Sequence, residues 1–302
     1  MLADSFELNG VEIANTFAEA FAMKGSRIII TAANEKWAGI AAMEMSGYAT
    51  SVIACDAEVA VERTLEADET PDGRVGVSVL AFGFDRDSLA NAIQGRVGQC
   101  VLTTPTTACF NGIEDCPKDK RIQIGGAIRF FGDGLQFSKK LGTRRFWRLP
   151  VMDGEFLCED RFGTVTGVGG GNLIICGTTQ AQTLNATEAA VAAMQEVPDI
   201  ILPFPGGIVR SGSKVGSQYK KLKASTNEAY CPTVRPLAES DIPDGCNAVY
   251  EIVIDGLSPE AVQAAMKAGL HAAAGSEGIL KITAGNYGGK LGKHHFYLRE
   301  LL

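Results

Sequence analysis

Residues 249–283 read VYEIVIDGLSPEAVQAAMKAGLHAAAGSEGILKIT. Val249–Ile254 is an apolar run. Ser258 follows as a helix cap, with Pro259 at the favoured first helical position. Val262, Met266 and Leu270 then share one helical face, Gly275 closes the helix, and Ile279–Thr283 is a second apolar run. The stretch predicts strand, helix, strand.

Working outward, the same unit recurs, four times in all. Leu173–Cys176 leads to Thr179, a helix carrying Leu184, Val191 and Met194, and then Ile200–Leu202. Arg27–Thr31 leads to Asn34 as a cap, a helix with Trp37, Ile40, Ala41 and Met45, a stop at Gly47, and Ser51–Cys55. Val75–Phe82 leads to Asp85, a helix with Leu89, Ile93 and Val97, and Cys100–Thr103. Two such units in tandem make a split β-α-β, or ferredoxin-like, layout. The expectation is an α+β fold of two duplicated ferredoxin-like lobes, residues 1–150 and 151–302, with a β-rich connecting region over 104–171. The Asp153-Gly154 pair there marks a hairpin. Residues 204–247 form a long insertion in the second lobe, and long loops are often functional.

At 302 residues and 46% hydrophobic, the chain is long enough for two cores. A net charge of −7 argues against nucleic acid as a partner. No apolar stretch approaches the roughly 20 residues of a membrane span, and the acidic N-terminus does not resemble a signal peptide. None of the eight cysteines forms a C-x-x-C pair, so reduced thiols in the cytoplasm are the expectation.

Two segments are basic within this acidic chain. Phe204–Ala224 holds Arg210, Lys214, Lys220, Lys221 and Lys223 without an acid; Ser211 lies beside the first of these. Thr283–Lys293, TAGNYGGKLGK, holds Asn286, Tyr287 and Lys290. Glycine allows close backbone approach, and amides with lysines suit phosphate or carboxylate groups. The plainer alternative is a solvated loop. Neither is a Walker A loop: Ala284 stands where the first glycine belongs, and Leu291 follows Lys290. Gly167–Gly171 opens toward a strand, as a turn or bulge.

Aligning VGVSVLAFG (75–83) with AVYEIVIDG (248–256) sets Ser78 against Glu251. Strand alternation places Glu251 on the face of Val249 and Val253. A carboxyl in such a run is expected to be desolvated and protonated, able to donate to an oxyanion as an aspartic acid does in ketosteroid isomerase. The alternative is an edge glutamate facing water or a lysine.

Other groups carry less chemistry. His294 and His295 point to opposite strand faces and find no third ligand, so no metal is expected. His271 reads as a satisfied surface histidine. Glu58, Glu62 and Glu66 read as a solvated helix face. Cys100 and Cys109 are candidate nucleophiles without a nearby histidine, and buried structural thiols are commoner. Phe130, Phe131, Phe137, Phe146 and Trp147 read as core.

The strings TFAEAF (16–21), SVIAC (51–55), TPDGR (70–74), GQCVLTTPTT (98–107), FFGDG (130–134), FPGGIVRSGSKVG (204–216), VYEIVIDG (249–256) and KITAGNYGGKLG (281–292) span nearly the whole chain. Together they resemble the formylmethanofuran:tetrahydromethanopterin formyltransferase family. WRLPVMDGEFLCE (147–159) is more similar to its methylotroph bacterial members, which belong to a formyltransferase/hydrolase complex. The resemblance implies formyl transfer between a furan-type amine carrier and N5 of a tetrahydropterin, with both coenzymes as substrates and no tightly bound cofactor. It also implies a homotetramer built from dimers and places the family's proposed acid at Glu251. The coenzymes' anionic tails would meet Arg210, Ser211, Lys214, Asn286, Tyr287 and Lys290. A non-catalytic ligand-binding module and a formyl-amide hydrolase are the rival readings.

Overall fold

The computed structural model describes residues 5–302. It is an α+β structure in which five helices accompany a large mixed sheet. β1 (Ser5–Leu8) and β2 (Val11–Ala14) form a hairpin. Its two-residue turn, Asn9-Gly10, has φ of 53° and 82°, the Asn-Gly signature of a type I′ turn. β3 (Phe17–Thr31) is a long strand whose first residues belong to one compact unit and whose remainder, from Met23, belongs to the other.

The unit Met23–Gly167 continues with α1 (Glu35–Ser46), β4 (Glu58–Leu65), β5 (Gly76–Gly83), α2 (Arg86–Arg96) and β6 (Ala108–Asn111). Asn34 and Asp85 cap the two helices through side-chain oxygens, as read from sequence. The strand order is β6-β3-β5-β4, antiparallel throughout. Two strands lie elsewhere than expected. Residues 51–55 are mostly turn, and the strand is β4. Residues 100 and 101 end a π-helical turn, Val97–Val101, that prolongs α2; 102 and 103 are turn, and the strand is β6.

The acidic run is therefore not a helix face. A spacing of four fits a period of 2 as well as one of 3.6, and the apolar residues between decide for β4. Glu62 accepts from Arg27 (2.6 and 2.8 Å) and from the Ser78 hydroxyl (2.6 Å). After β6 come β7 (Ile122–Gln123), α3 (Gly125–Ile128), β8 (Phe137–Leu141), β9 (Arg144–Val151), β10 (Gly154–Glu159) and β11 (Arg161–Phe162). The hairpin at Asp153-Gly154 joins β9 to β10. The aromatic group is not core: Phe130, Phe131 and Phe137 are exposed, Trp147 is half-buried, and only Phe146 is buried. The Arg129 guanidinium lies 4.0 Å from the Phe130 ring centre, which offsets part of that exposure.

The other unit joins the residues up to Ala22 to Val168–Leu302. It contains most of β12 (Val165–Gly177), then α4 (Gln180–Gln195), β13 (Ile200–Ile201), β14 (Lys214–Val215), β15 (Ala224–Ser225), β16 (Ala248–Gly256), α5 (Pro259–Ala274), β17 (Ile279–Thr283) and β18 (His294–Tyr297). Its strand order is β17-β12-β16-β13, again antiparallel. A register shift between Val168 and Gly171 is the bulge that the glycine run foretold.

The residues up to Ala22 group with this unit because β2 adds to the edge of β17 and β18 pairs with the start of β3. Thr179 and Ser258 cap α4 and α5, as expected. These helices approach closely at Gly269, where a Cβ would meet Met194 Cε at 2.0 Å. Ile252, Ile254, Ile175, Met266 and Leu270 fill the core between sheet and helices. Each such side chain contributes about 1.5–3 kcal/mol by burial.

Candidate active site

β16 sends Ile252 and Ile254 into that helix-covered core, so alternation turns Val249, Glu251 and Val253 to the opposite face. There the 204–247 insertion packs against the sheet: Ile174, Cys176, Ile242 and Cys246 form a small cluster with Tyr230 and Val249. Val209 extends the edge of β16, bonding Glu251 in both directions (2.7 and 3.1 Å). Ser78 occupies the matching place in the other unit: Ile29 is its cross-strand partner on β3, as Ile174 is that of Glu251 on β12.

Glu251 is buried, with 5% of its surface exposed. Burial pushes its carboxyl up to about 7, although the Ser213 hydroxyl and amide both hold it lower than burial alone would. The Ser213 hydroxyl donates to Glu251 Oε1 at 2.5 Å. Gly212 makes this approach possible: its φ is +75°, and a Cβ would lie 2.8 Å from that of Asn227. A small open cleft lies over the carboxyl, lined among others by Arg210, Ser211, Tyr230, Cys231 and Glu251. Burial and Asp241 push the Tyr230 phenol up to about 12, so it stays a donor near neutrality.

The second basic loop is folded by an acid. Glu19, 1% exposed on β3, accepts amide hydrogens from Tyr287 (2.6 Å), Gly289 (2.8 Å), Leu291 (2.6 Å) and Gly292 (2.6 Å). Burial opposes its charge, but the four amides outweigh it and hold the carboxyl at about 2. Asn172 fixes the base of the loop by bonding both backbone groups of Gly285.

The sequence-predicted residues divide. Glu251, Arg210 and Ser211 share the cleft. Tyr287 donates to the Ser213 carbonyl at 3.5 Å and so joins the two loops. Lys214, on β14, is ion-paired with Glu228. Asn286 turns its amide to Thr16 Oγ1 (3.0 Å) and the Phe17 carbonyl (3.3 Å), and Lys290 is exposed. His271 bonds the Leu301 carbonyl (3.0 Å), a satisfied histidine. Among the described residues no His, Cys, Asp or Glu cluster could hold a metal ion, and no helix is long and apolar enough to cross a membrane.

Sequence reasoning missed Ser213, Tyr230 and Glu19. Glu19 gave the same signal as Glu251, a carboxylate between apolar strand residues; Ser213 gave none, because its partner is 38 positions away.

Residues 6–151 match the family described as formylmethanofuran-tetrahydromethanopterin formyltransferase, and residues 154–301 match that described as FTR, proximal lobe. A formyltransferase of that name from Methylobacillus flagellatus is 53% identical, over 98% of this chain and 99% of its own. One subunit of the formyltransferase/hydrolase complex of Methylorubrum extorquens is 54% identical, over 98% of this chain and 97% of its own. The crystal structure of that complex with methylofuran contains a chain similar at TM-score 0.95 and 54% identity, covering 99% of both. The Methanosarcina barkeri enzyme is similar at TM-score 0.92 and 49% identity, over 98% of this chain and 100% of its own. The chain therefore belongs to the formylmethanofuran–tetrahydromethanopterin formyltransferase family.

Proposed function

We propose that the chain transfers a formyl group between a methanofuran-type amine and N5 of a tetrahydromethanopterin-type coenzyme, directly, in the cleft over Glu251. The amine nitrogen of one carrier attacks the formamide carbon of the other. The carbonyl oxygen becomes an oxyanion, the C–N bond to the first carrier breaks, and the proton of the attacking amine ends on the leaving amine. Glu251 in its acid form donates to the oxyanion, while Ser213 occupies Oε1 and leaves Oε2 for the proton. A donor aimed at developing charge is worth about 3 kcal/mol in the transition state. The remaining barrier reduction comes from alignment of two large coenzymes. The observation that carries this reading is a carboxyl 5% exposed and held by Ser213 beneath an open cleft.

Arg210, Ser211, Lys214, Asn286 and Lys290 bind the coenzymes' polar tails in this reading, and Tyr287 contributes through its ring, its phenol being turned to the Ser213 carbonyl. Two duplicated ferredoxin-like lobes are part of it; the strand orders β6-β3-β5-β4 and β17-β12-β16-β13 support that assignment. So are a cytoplasmic homotetramer and, as for the Methylorubrum extorquens relative, association with the other subunits of a formyltransferase/hydrolase complex. One assay with both carriers tests the activity. Formyl transfer to the pterin supports it; formate release alone indicates a hydrolase, and binding without turnover a ligand-binding module.

A further inference from the structure

We propose that Glu19 is a remote positioning residue for Glu251, acting through the loop that it folds. The inference rests on the reading of Glu251 as the acid. The side chains involved form one continuous path. The Glu19 carboxylate gathers four amides of residues 287–292, the first being that of Tyr287 itself. Both its oxygens take two amides each, so the loop backbone wraps around a single buried charge. Gly292 is needed for this approach, since a Cβ there would meet the Ala20 carbonyl at 2.5 Å.

The loop so formed rests the Tyr287 ring 6.1 Å from that of Phe21 and aims its phenol at the Ser213 carbonyl, 3.5 Å away. That contact lies at the outer limit of a hydrogen bond, so small shifts of the loop make or break it. Ser213 in turn holds Glu251 Oε1. The insertion carrying Ser213 has short strands and few buried side chains around it, so an external tether has leverage on the position of its hydroxyl. A carboxylate that gathers four amide donors organises a backbone. Its placement beside the tyrosine that reaches Ser213 gives that organisation a chemical consequence.

The test uses Tyr287→Phe, Glu19→Gln and the double variant of the full chain, with kcat and KM for both coenzymes and amide exchange across residues 285–292. Tyr287→Phe removes only the phenol and is expected to lower kcat roughly threefold to tenfold, with both KM values within about twofold. Glu19→Gln is expected to speed exchange at Tyr287, Gly289, Leu291 and Gly292 and to lower kcat at least as much. Once Glu19 is changed, adding Tyr287→Phe should cost little more, because the two act in series. Wild-type kcat in Tyr287→Phe, or costs that simply multiply in the double variant, would overturn the proposal. If Glu19→Gln fails to fold, Tyr287→Phe alone still decides. Glu251→Ala separates the two readings: wild-type kcat there removes the acid itself, whereas a loss there without one in Tyr287→Phe removes only the relay.

Discussion

The Ser213 hydroxyl donates to Glu251 Oε1 across 2.5 Å, joining an insertion loop to the middle of β16. One oxygen of the carboxyl is thereby fixed, and the acid proton has one place to go. Glu251→Ala is expected to lower kcat by roughly 10²-fold or more, the cost of one oxyanion donor. Glu251→Gln keeps a donor of the same shape and should lose less. Steady-state kinetics of the two variants checks this, and near-wild-type kcat in Glu251→Ala would end the assignment.

The pH dependence follows from the raised carboxyl. Glu251 titrates at about 7 against an ordinary 4.5, so the donor form dominates below neutrality and kcat should fall as pH rises through about 7. Because Ser213 holds the value down, Ser213→Ala should move that limb to higher pH while lowering kcat. The native state also binds the proton more tightly than the unfolded chain, so this group makes the fold less stable as pH climbs from about 4.5 to about 7. Glu251→Gln should abolish that slope in denaturant titrations. A limb that moves down in Ser213→Ala contradicts the assignment.

Glu19 has the opposite sign. Its carboxyl is held at about 2 against an ordinary 4.5, so its stabilisation is complete above about 4.5 and is lost as pH falls toward about 2. Hydrogen exchange, corrected for the intrinsic pH effect, should show loss of protection at Tyr287, Gly289, Leu291 and Gly292 across that window. Glu19→Gln should show the weaker protection at every pH. Protection that is unchanged from about pH 5 to about pH 2 would mean that the charge is not what folds the loop.

Much of this was legible in the sequence because local chemistry marked it. Asn34, Asp85, Thr179 and Ser258 each cap the helix assigned to them. Glu251 was identifiable as a charge where alternation demands an apolar face. The misreadings occurred where one pattern served two structures: Glu58, Glu62 and Glu66 fit a strand or a helix, and Cys100–Thr103 looked like a strand although Val97–Val101 continues the helix. Ser213 and Tyr230 were invisible because their roles come from packing of the 204–247 insertion against β16, which no local pattern encodes.

Direct transfer predicts that no thiol is a nucleophile. Burial pushes the Cys100 thiol up, and Cys109 is wholly buried. Cys246 is drawn down to about 7 by its hydrogen bond with Cys176, but it is 1% exposed behind the cleft wall. Cys231 lines the cleft, but its thiol donates to the Asn227 carbonyl at 3.2 Å. Cys100→Ala, Cys109→Ala and Cys231→Ala should leave kcat within a few-fold. Trapping a formylated thiol during turnover would overturn direct transfer.

The basic loops should act on affinity, and unequally. Charges that meet a coenzyme's anionic tail are present in ground and transition states alike, so removing one raises KM and leaves kcat nearly unchanged. Lys290 and Arg210 are exposed, whereas the Lys214 charge is already matched by Glu228. Lys290→Ala and Arg210→Ala should therefore raise KM more than Lys214→Ala does. Glu228→Gln should free Lys214 and lower KM in low salt. Added salt should mimic the losses, since the screening length shrinks to about 3 Å at 1 M. A KM series with full-length and tail-truncated coenzymes checks the division of labour: each mutational effect should vanish with the truncated coenzyme. If the Lys290→Ala effect persists undiminished there, or falls on kcat, that lysine acts on the reacting formyl group and not on a tail.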